Sequence, residues 1–219
     1  MSLGNKLSFQ GHWTIIESSY FSGSLNIKKT GETYKCIWKL DNEESNTYIG
    51  IGMLFGEKLI VSRFTKFNDA EELPRAGVGV YISIGDNRSS SALWASTTDF
   101  NVLGAGIALR KETSKGFKGN YKVRYFLGET ESPVFDVSID SREGSDIFSL
   151  SWSLEGKQVH HGAGLTLEDQ LIFAWGDLSV DCELIVLSMK NEDGKLFLTS
   201  SQLAIQDNFV NKEVLVSKN

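Results

Sequence analysis

Tyr34-Lys35-Cys36-Ile37-Trp38-Lys39-Leu40 carries a large or apolar side chain at every second position, and Phe148-Ser149-Leu150-Ser151-Trp152-Ser153-Leu154 repeats the pattern 114 residues later. A period of two is that of a β-strand with one face buried. The match extends outward in both directions. Gly11-His12-Trp13-Thr14-Ile15 lines up with Gly119-Asn120-Tyr121-Lys122-Val123, and Leu25-Asn26-Ile27 with Val137-Ser138-Ile139. Tyr48-Ile49-Gly50-Ile51-Gly52 lines up with His160-His161-Gly162-Ala163-Gly164, and Leu59-Ile60-Val61 with Leu171-Ile172-Phe173. A last match sets Leu93-Trp94 against Leu196-Phe197. Matches in one order along the chain predict two homologous halves, residues 1–112 and 113–219.

Each half reads as a run of short strands. Further strand-like segments fall near residues 12–19, 23–29, 46–54, 58–64, 77–84, 91–97 and 103–111, with turn chemistry at Thr30-Gly31-Glu32, Phe55-Gly56-Glu57 and Gly85-Asp86-Asn87. About eight strands per half, with no helical stripe, predict an all-β fold of two antiparallel up-and-down β-barrels. The architectural alternative is one large sandwich or barrel formed by both halves. Strand glycines come in same-face pairs, Gly50 with Gly52, Gly77 with Gly79 and Gly104 with Gly106. Such glycines mark bends or close approach of another group to the backbone.

Composition narrows the function classes. The 219 residues include 22 basic and 28 acidic side chains, a net charge of -6, with 41% hydrophobic residues, 21 glycines and two prolines. Residues 1–112 carry 12 basic and 12 acidic groups, and residues 113–219 carry 10 and 16, so the acidity lies in the second half. Nucleic-acid binding needs clustered Lys and Arg, so no nucleic-acid partner is expected. No apolar run approaches the ~20 residues of a membrane helix, so no membrane span is expected. The two cysteines, Cys36 and Cys182, are too few for a disulfide scaffold. Met1-Ser2-Leu3-Gly4 leads into polar, strand-like sequence without a secretory leader pattern. It reads as a start added ahead of the natural sequence, which leaves the compartment open.

Gly11-x-Trp13 on a first strand, followed by about eight strands in ~100 residues, resembles the calycin architecture of lipocalins and avidins. In that family the early Trp closes one barrel end under a basic residue of the last strand. The resemblance implies Trp13 and Arg110 as the closing pair here. The second half departs from it, with Tyr121 for the Trp and only Lys218 near its end. Tyr20-Phe21-Ser22-Gly23, Tyr34 to Trp38, Gly50-Ile51-Gly52 and Gly77-Val78-Gly79-Val80-Tyr81 are similar to bacterial modules loosely labelled fibronectin-binding. That label describes no chemistry, and the biotin contacts of avidins do not map onto this chain.

The sequence carries none of the common catalytic signatures. Gly50-x-Gly52-x-x-x-Gly56 lacks the following helix that a phosphate loop needs. No G-x-S-x-G elbow seats a nucleophilic serine. His160 and His161 are neighbours on a strand, point to opposite faces, and cannot chelate one ion together. Neither a metal nor a cofactor is expected, and the pair reads as solvated or locally hydrogen-bonded. The reading is of a non-enzymatic protein carrying a small hydrophobic ligand in a barrel cavity, with Tyr34, Trp38, Trp94, Phe148, Trp152 and Phe173 as ligand-binding candidates. The competing role for these rings is a filled core. Two other functions stay open: a protein-protein interaction module using loops such as Lys66–Ala76, and an enzyme with a dispersed acidic site. A hollow interior favours the carrier and a filled one the interaction module. Duplication within one chain can replace a homodimer, so a monomer is expected.

Overall fold

The computed structural model describes residues 8–17, 22–41, 47–65, 73–84, 89–111, 116–141, 146–204 and 210–217. Strands β1 (Gly11–Glu17), β2 (Gly23–Thr30), β3 (Thr33–Leu40), β4 (Thr47–Phe55) and β5 (Lys58–Thr65) form an antiparallel meander. The chain then continues through β6 (Ala76–Ile84), β7 (Ser89–Ser96), β8 (Asp99–Arg110), β9 (Gly119–Leu127) and the two-residue β10 (Thr130–Glu131). Next come β11 (Phe135–Ser141), β12 (Ile147–Leu154), β13 (Lys157–Leu167) and β14 (Gln170–Asp177). Last are β15 (Cys182–Glu192), β16 (Lys195–Ala204) and β17 (Val210–Ser217). Several hairpins turn on residues with φ > 0 at both central positions, Glu155-Gly156, Glu168-Asp169 and Asp193-Gly194. These are the dihedrals of the tight turns that match strand twist.

The fold is all-β, and its strands form two barrel-like bodies. Barrel one is closed, in the order β1-β2-β3-β4-β5-β15-β16-β17 and back to β1. The other sheet runs β9-β11-β12-β13-β14-β6-β7-β8 and curls round until β8 pairs β9, from Ala105 opposite Phe126 to Arg110 opposite Tyr121; β10 extends the far edge of β9. This ring is barrel two. The division at residue 112 therefore does not separate the barrels. Each takes five strands from one half and three from the other. The chain crosses over after β5 and returns after β14, so β5 pairs β15 and β14 pairs β6.

The internal matches read from sequence occupy equivalent places in the two rings. Trp38 lies opposite Tyr48, Cys36 opposite Gly50 and Tyr34 opposite Gly52; in barrel two Trp152 lies opposite His160, Leu150 opposite Gly162 and Phe148 opposite Gly164. One match is in the wrong register. Trp94 lies opposite Gly79, while Phe197 lies opposite Lys190. Gly79 itself faces Phe173, as Ile185 faces Val61, and Ile185 pairs with Gln202. The counterpart of Trp94 is thus Gln202, because the β15–β16 hairpin is longer than the offset 103 assumes.

The bodies pack side by side through outer strand faces. Ile49, Ile51, Met53, Ile60 and Phe64 of barrel one meet Ala76, Val78, Val80, Ala163, Ile172 and Ala174 of barrel two, joined by Leu184 and Val186. Strands buried on both faces lose alternation and become nearly continuous apolar runs. That is why Leu59-Ile60-Val61 and Leu171-Ile172-Phe173 have no polar face. The β2–β3 turn also docks on β8: Glu32 N–H donates to Asn101 O at 2.8 Å, and the Thr30 and Thr33 hydroxyls donate to Phe100 O.

Candidate ligand-binding cavity

One end of each barrel is shut by an aromatic residue from the first strand of one half, β1 or β9. Trp13 Nε1–H donates to Phe9 O at 3.0 Å in barrel one. In barrel two Tyr121 O–H donates to Phe117 O at 2.7 Å, the same span of four residues. The Arg110 guanidinium carbon sits 5.1 Å from the centre of the Tyr121 ring, and its Nη2 donates to Gly116 O and Lys118 O. Arg110 thus packs on Tyr121 and not on Trp13. The strand crossover puts the last strand of the first half beside the first strand of the second. Ser217 is the residue opposite Trp13, and Lys218 lies outside the described residues.

The interiors differ. Barrel one is filled by Trp13, Leu25, Ile27, Tyr34, Cys36, Trp38, Leu59, Val61, Ile185, Leu187 and Leu198. Above them lies Arg63, its guanidinium 5.5 Å from the Trp38 ring centre and 5.2 Å from that of Tyr48, with Nη2 2.6 Å from Glu183 Oε2. Barrel two holds Trp175 where barrel one has Arg63, and Gly77 where it has Glu183: Gly50 faces Arg63 and Gly162 faces Trp175, while Arg63 faces Glu183 and Trp175 faces Gly77. An ion pair plugs one mouth, and the other stays hollow.

That hollow is a cavity of about 230 Å³ lined by Trp94, Tyr125, Phe135, Trp152, Phe173 and Trp175, with His160 and Leu127 beside them and Thr130, Glu131 and Ser132 at the rim. Strand glycines seat its rings. A Cβ on Gly77 would overlap the Trp175 indole, one on Gly104 the Trp94 indole, one on Gly79 would lie 2.5 Å from Phe173 Cζ, and one on Gly106 would lie 2.9 Å from Tyr125 Cδ1. Close approach to the backbone is the role such glycines were expected to have, and here the approaching groups are the cavity walls.

Three of the six expected ligand-binding residues, Trp94, Trp152 and Phe173, meet in this cavity. Tyr34 and Trp38 belong to the filled core of barrel one, and Phe148 packs edge-on against Phe117 in barrel two's core. Tyr125, Phe135, His160 and Trp175 are cavity residues that sequence reasoning did not select. The alternation signalled three of them: Trp175 continues the face of Leu171 and Phe173, Tyr125 that of Tyr121 and Val123, and Phe135 that of Val137 and Ile139.

Polar groups inside the cavity are few. Trp152 Nε1–H donates to Tyr125 Oη at 2.6 Å, and the hydroxyls of Tyr125 and Tyr81 are 2.6 Å apart. Burial pushes the Tyr125 phenol up to about 12 and Tyr81 well above its ordinary value, so both stay protonated. His160 Nδ1 lies 2.8 Å from Asp177 Oδ1. Desolvation nevertheless holds the imidazole below its ordinary 6.5, against the pull of Asp177 and with help from Arg75 and His161. His161 points the other way, its Nε2 3.0 Å from Val180 O, so the two histidines do sit on opposite faces. Among the described residues no three His, Cys, Asp or Glu side chains gather as a metal site requires. No helix among them is long and apolar enough to cross a membrane. Both cysteines are buried and unpaired, with their thiols pushed up by desolvation, Cys182 to about 12. In comparisons with known proteins the chain matches no family model, no curated protein and no solved structure.

Proposed function

We propose that the protein is a non-enzymatic carrier of a small hydrophobic molecule, held in the aromatic cavity of barrel two. The observation that carries this reading is the contrast between homologous positions: Trp175 and Gly77 leave a hollow where Arg63 and Glu183 fill one. Binding cavities are concave and mostly apolar with a few placed polar groups, and this one has six aromatic walls around a tyrosine hydroxyl. Its volume is roughly one and a half times that of an apolar cavity of ~150 Å³ that accepts benzene. A bicyclic ring system or a short branched chain suits it. The calycin resemblance points the same way, since an eight-stranded barrel whose interior is not filled by side chains has room for one small ligand. Barrel one then serves as a packed support.

Native mass spectrometry of the purified protein, compared with the denatured sample, tests the proposal. A discrete extra mass lost on denaturation supports a carrier and gives the ligand's size. Three of the five tryptophans line the cavity, so added indane is expected to shift the intrinsic fluorescence. Leu127→Trp, which crowds the cavity wall, is expected to abolish that shift. A bare mass together with an unchanged spectrum on adding indane would end the carrier reading.

The interaction-module reading has its own support in Leu93, Ile107 and Leu109. These are 37%, 50% and 55% exposed on the outer face of β7 and β8. Residues 66–72 of the loop first considered for partner binding lie outside the described residues.

A further inference from the structure

The floor of the cavity carries a hydrogen-bond arrangement whose proton count can be worked out. Tyr81 is 1% exposed and stacked on Phe173, with ring centres 4.8 Å apart. Its hydroxyl lies 2.6 Å from the Tyr125 hydroxyl, and its other hydrogen-bonding neighbour is the Trp152 indole N–H, which offers no acceptor. The Trp152 indole can only donate, and it donates to the same Tyr125 oxygen at 2.6 Å. A phenol oxygen offers one proton and two acceptor sites. A buried O–H with no acceptor keeps the full cost of having left water. Tyr81, which has no other acceptor, must therefore donate to Tyr125. The Tyr125 oxygen then accepts twice, from Tyr81 and from Trp152, and has no capacity left to accept from a ligand. Its own proton is unclaimed among the described residues, and Tyr125 lines the cavity. The reverse orientation, Tyr125 donating to Tyr81, would strand the Tyr81 proton inside the core.

We infer that the ligand of this cavity bears a neutral hydrogen-bond acceptor, a ketone or comparable carbonyl oxygen, which takes the proton of the Tyr125 hydroxyl while its apolar ring or chain lies between Trp94, Trp152 and Trp175. The inference rests on the carrier reading and narrows it. A carboxylate is disfavoured, because no Lys or Arg is among the described lining residues and the lining carboxylate, Glu131, is already paired with Arg124 at 3.0 Å. A pure hydrocarbon would leave the Tyr125 proton without an acceptor and bind more weakly than its ketone analogue.

Isothermal titration of the whole protein with indane and with 1-indanone, which differ by the carbonyl oxygen, tests this. The wild type is expected to bind 1-indanone about ten-fold more tightly than indane, the upper range for one neutral hydrogen bond. Tyr125→Phe is expected to bring the two ligands within about two-fold of each other while still binding indane, which also reports that the barrel has folded. Tyr81→Phe is expected to retain the preference, because the Tyr125 proton stays aimed at the cavity. Should Tyr125→Phe not fold, the carbonyl stretching band of 1-indanone bound to the wild type replaces it. A shift to lower frequency than in hydrocarbon solvent supports the hydrogen bond, and an unshifted band overturns it. Equal binding of both ligands to the wild type would overturn the inference and leave the carrier reading intact. Preference gained only in Tyr81→Phe would show the opposite proton order and overturn it too. Binding of neither ligand would remove the carrier reading and the inference with it.

Discussion

His160 shows how one residue's position sets a pH dependence. It lies within 6.1 Å, ring centre to ring centre, of Phe135 and 5.1 Å of Trp175, surroundings that disfavour an imidazolium. Its folded pKa is held below 6.5, so the unfolded chain binds this proton more readily than the folded one. The resulting contribution to stability is complete above about pH 6.5 and is lost as pH falls from there toward the folded value. Thermal denaturation at steps from pH 7.5 to pH 5 is expected to show a steeper loss for the wild type than for His160→Gln. A steeper loss in the variant would mean that Asp177 outweighs desolvation and that the charged form is the favoured one.

At the scale of strands, the glycine pairs determine how near the cavity's rings can come to the sheet. Gly104 on β8 lies against the Trp94 indole, whose Nε1–H donates to Ala105 O at 2.9 Å. A methyl group at residue 104 must push that ring off the strand. Gly104→Ala is expected to destabilise the fold by about 1–3 kcal/mol, the usual cost of overpacking. It is also expected to weaken indane binding, since the displaced indole is a wall of the cavity. Chemical denaturation and titration calorimetry check the two effects, and an unchanged variant would show that Trp94 is not seated as described. In barrel one the equivalent strands carry an ion pair, Arg63 with Glu183, where the Arg63 side chain is 9% exposed. A buried pair of this kind adds little net stability compared with apolar residues of similar volume, and its structural consequence here is a filled mouth.

Over the whole molecule, the crossover interleaves the two halves of the chain in both bodies. Neither half of the sequence contains a complete ring: residues 1–112 supply β1 to β5 of one barrel and β6 to β8 of the other. A chain of residues 1–112 is therefore expected not to fold as a monomer. Two copies can instead complete each other by exchanging β6 to β8, as the halves do here. Size-exclusion chromatography with circular dichroism checks this, and a folded monomeric half would contradict the interleaved arrangement. The full chain is expected to be monomeric.

The strand pattern, the turns at Gly31 and Gly56 and the count of about eight strands per half follow from sequence alone, because a period of two and residues suited to φ > 0 are local properties; the expected turn at Gly85-Asp86-Asn87 lies outside the described residues. The same is true of which face of β3 or β12 is buried. The repeat likewise placed Trp38 with Trp152 and Gly50 with Gly162. Which strands share a ring is not local. Backbone hydrogen bonds are blind to side chains, and homologous halves offer the same strand edges, so β5 can be continued by β6 or by β15 without any change in pattern. Tertiary structure made that choice, and with it moved Arg110 from Trp13 to Tyr121. It also decided which barrel is hollow. That depends on pairs brought together from different halves, Arg63 with Glu183 against Trp175 with Gly77, where one pair fills the space between strands and the other leaves it open.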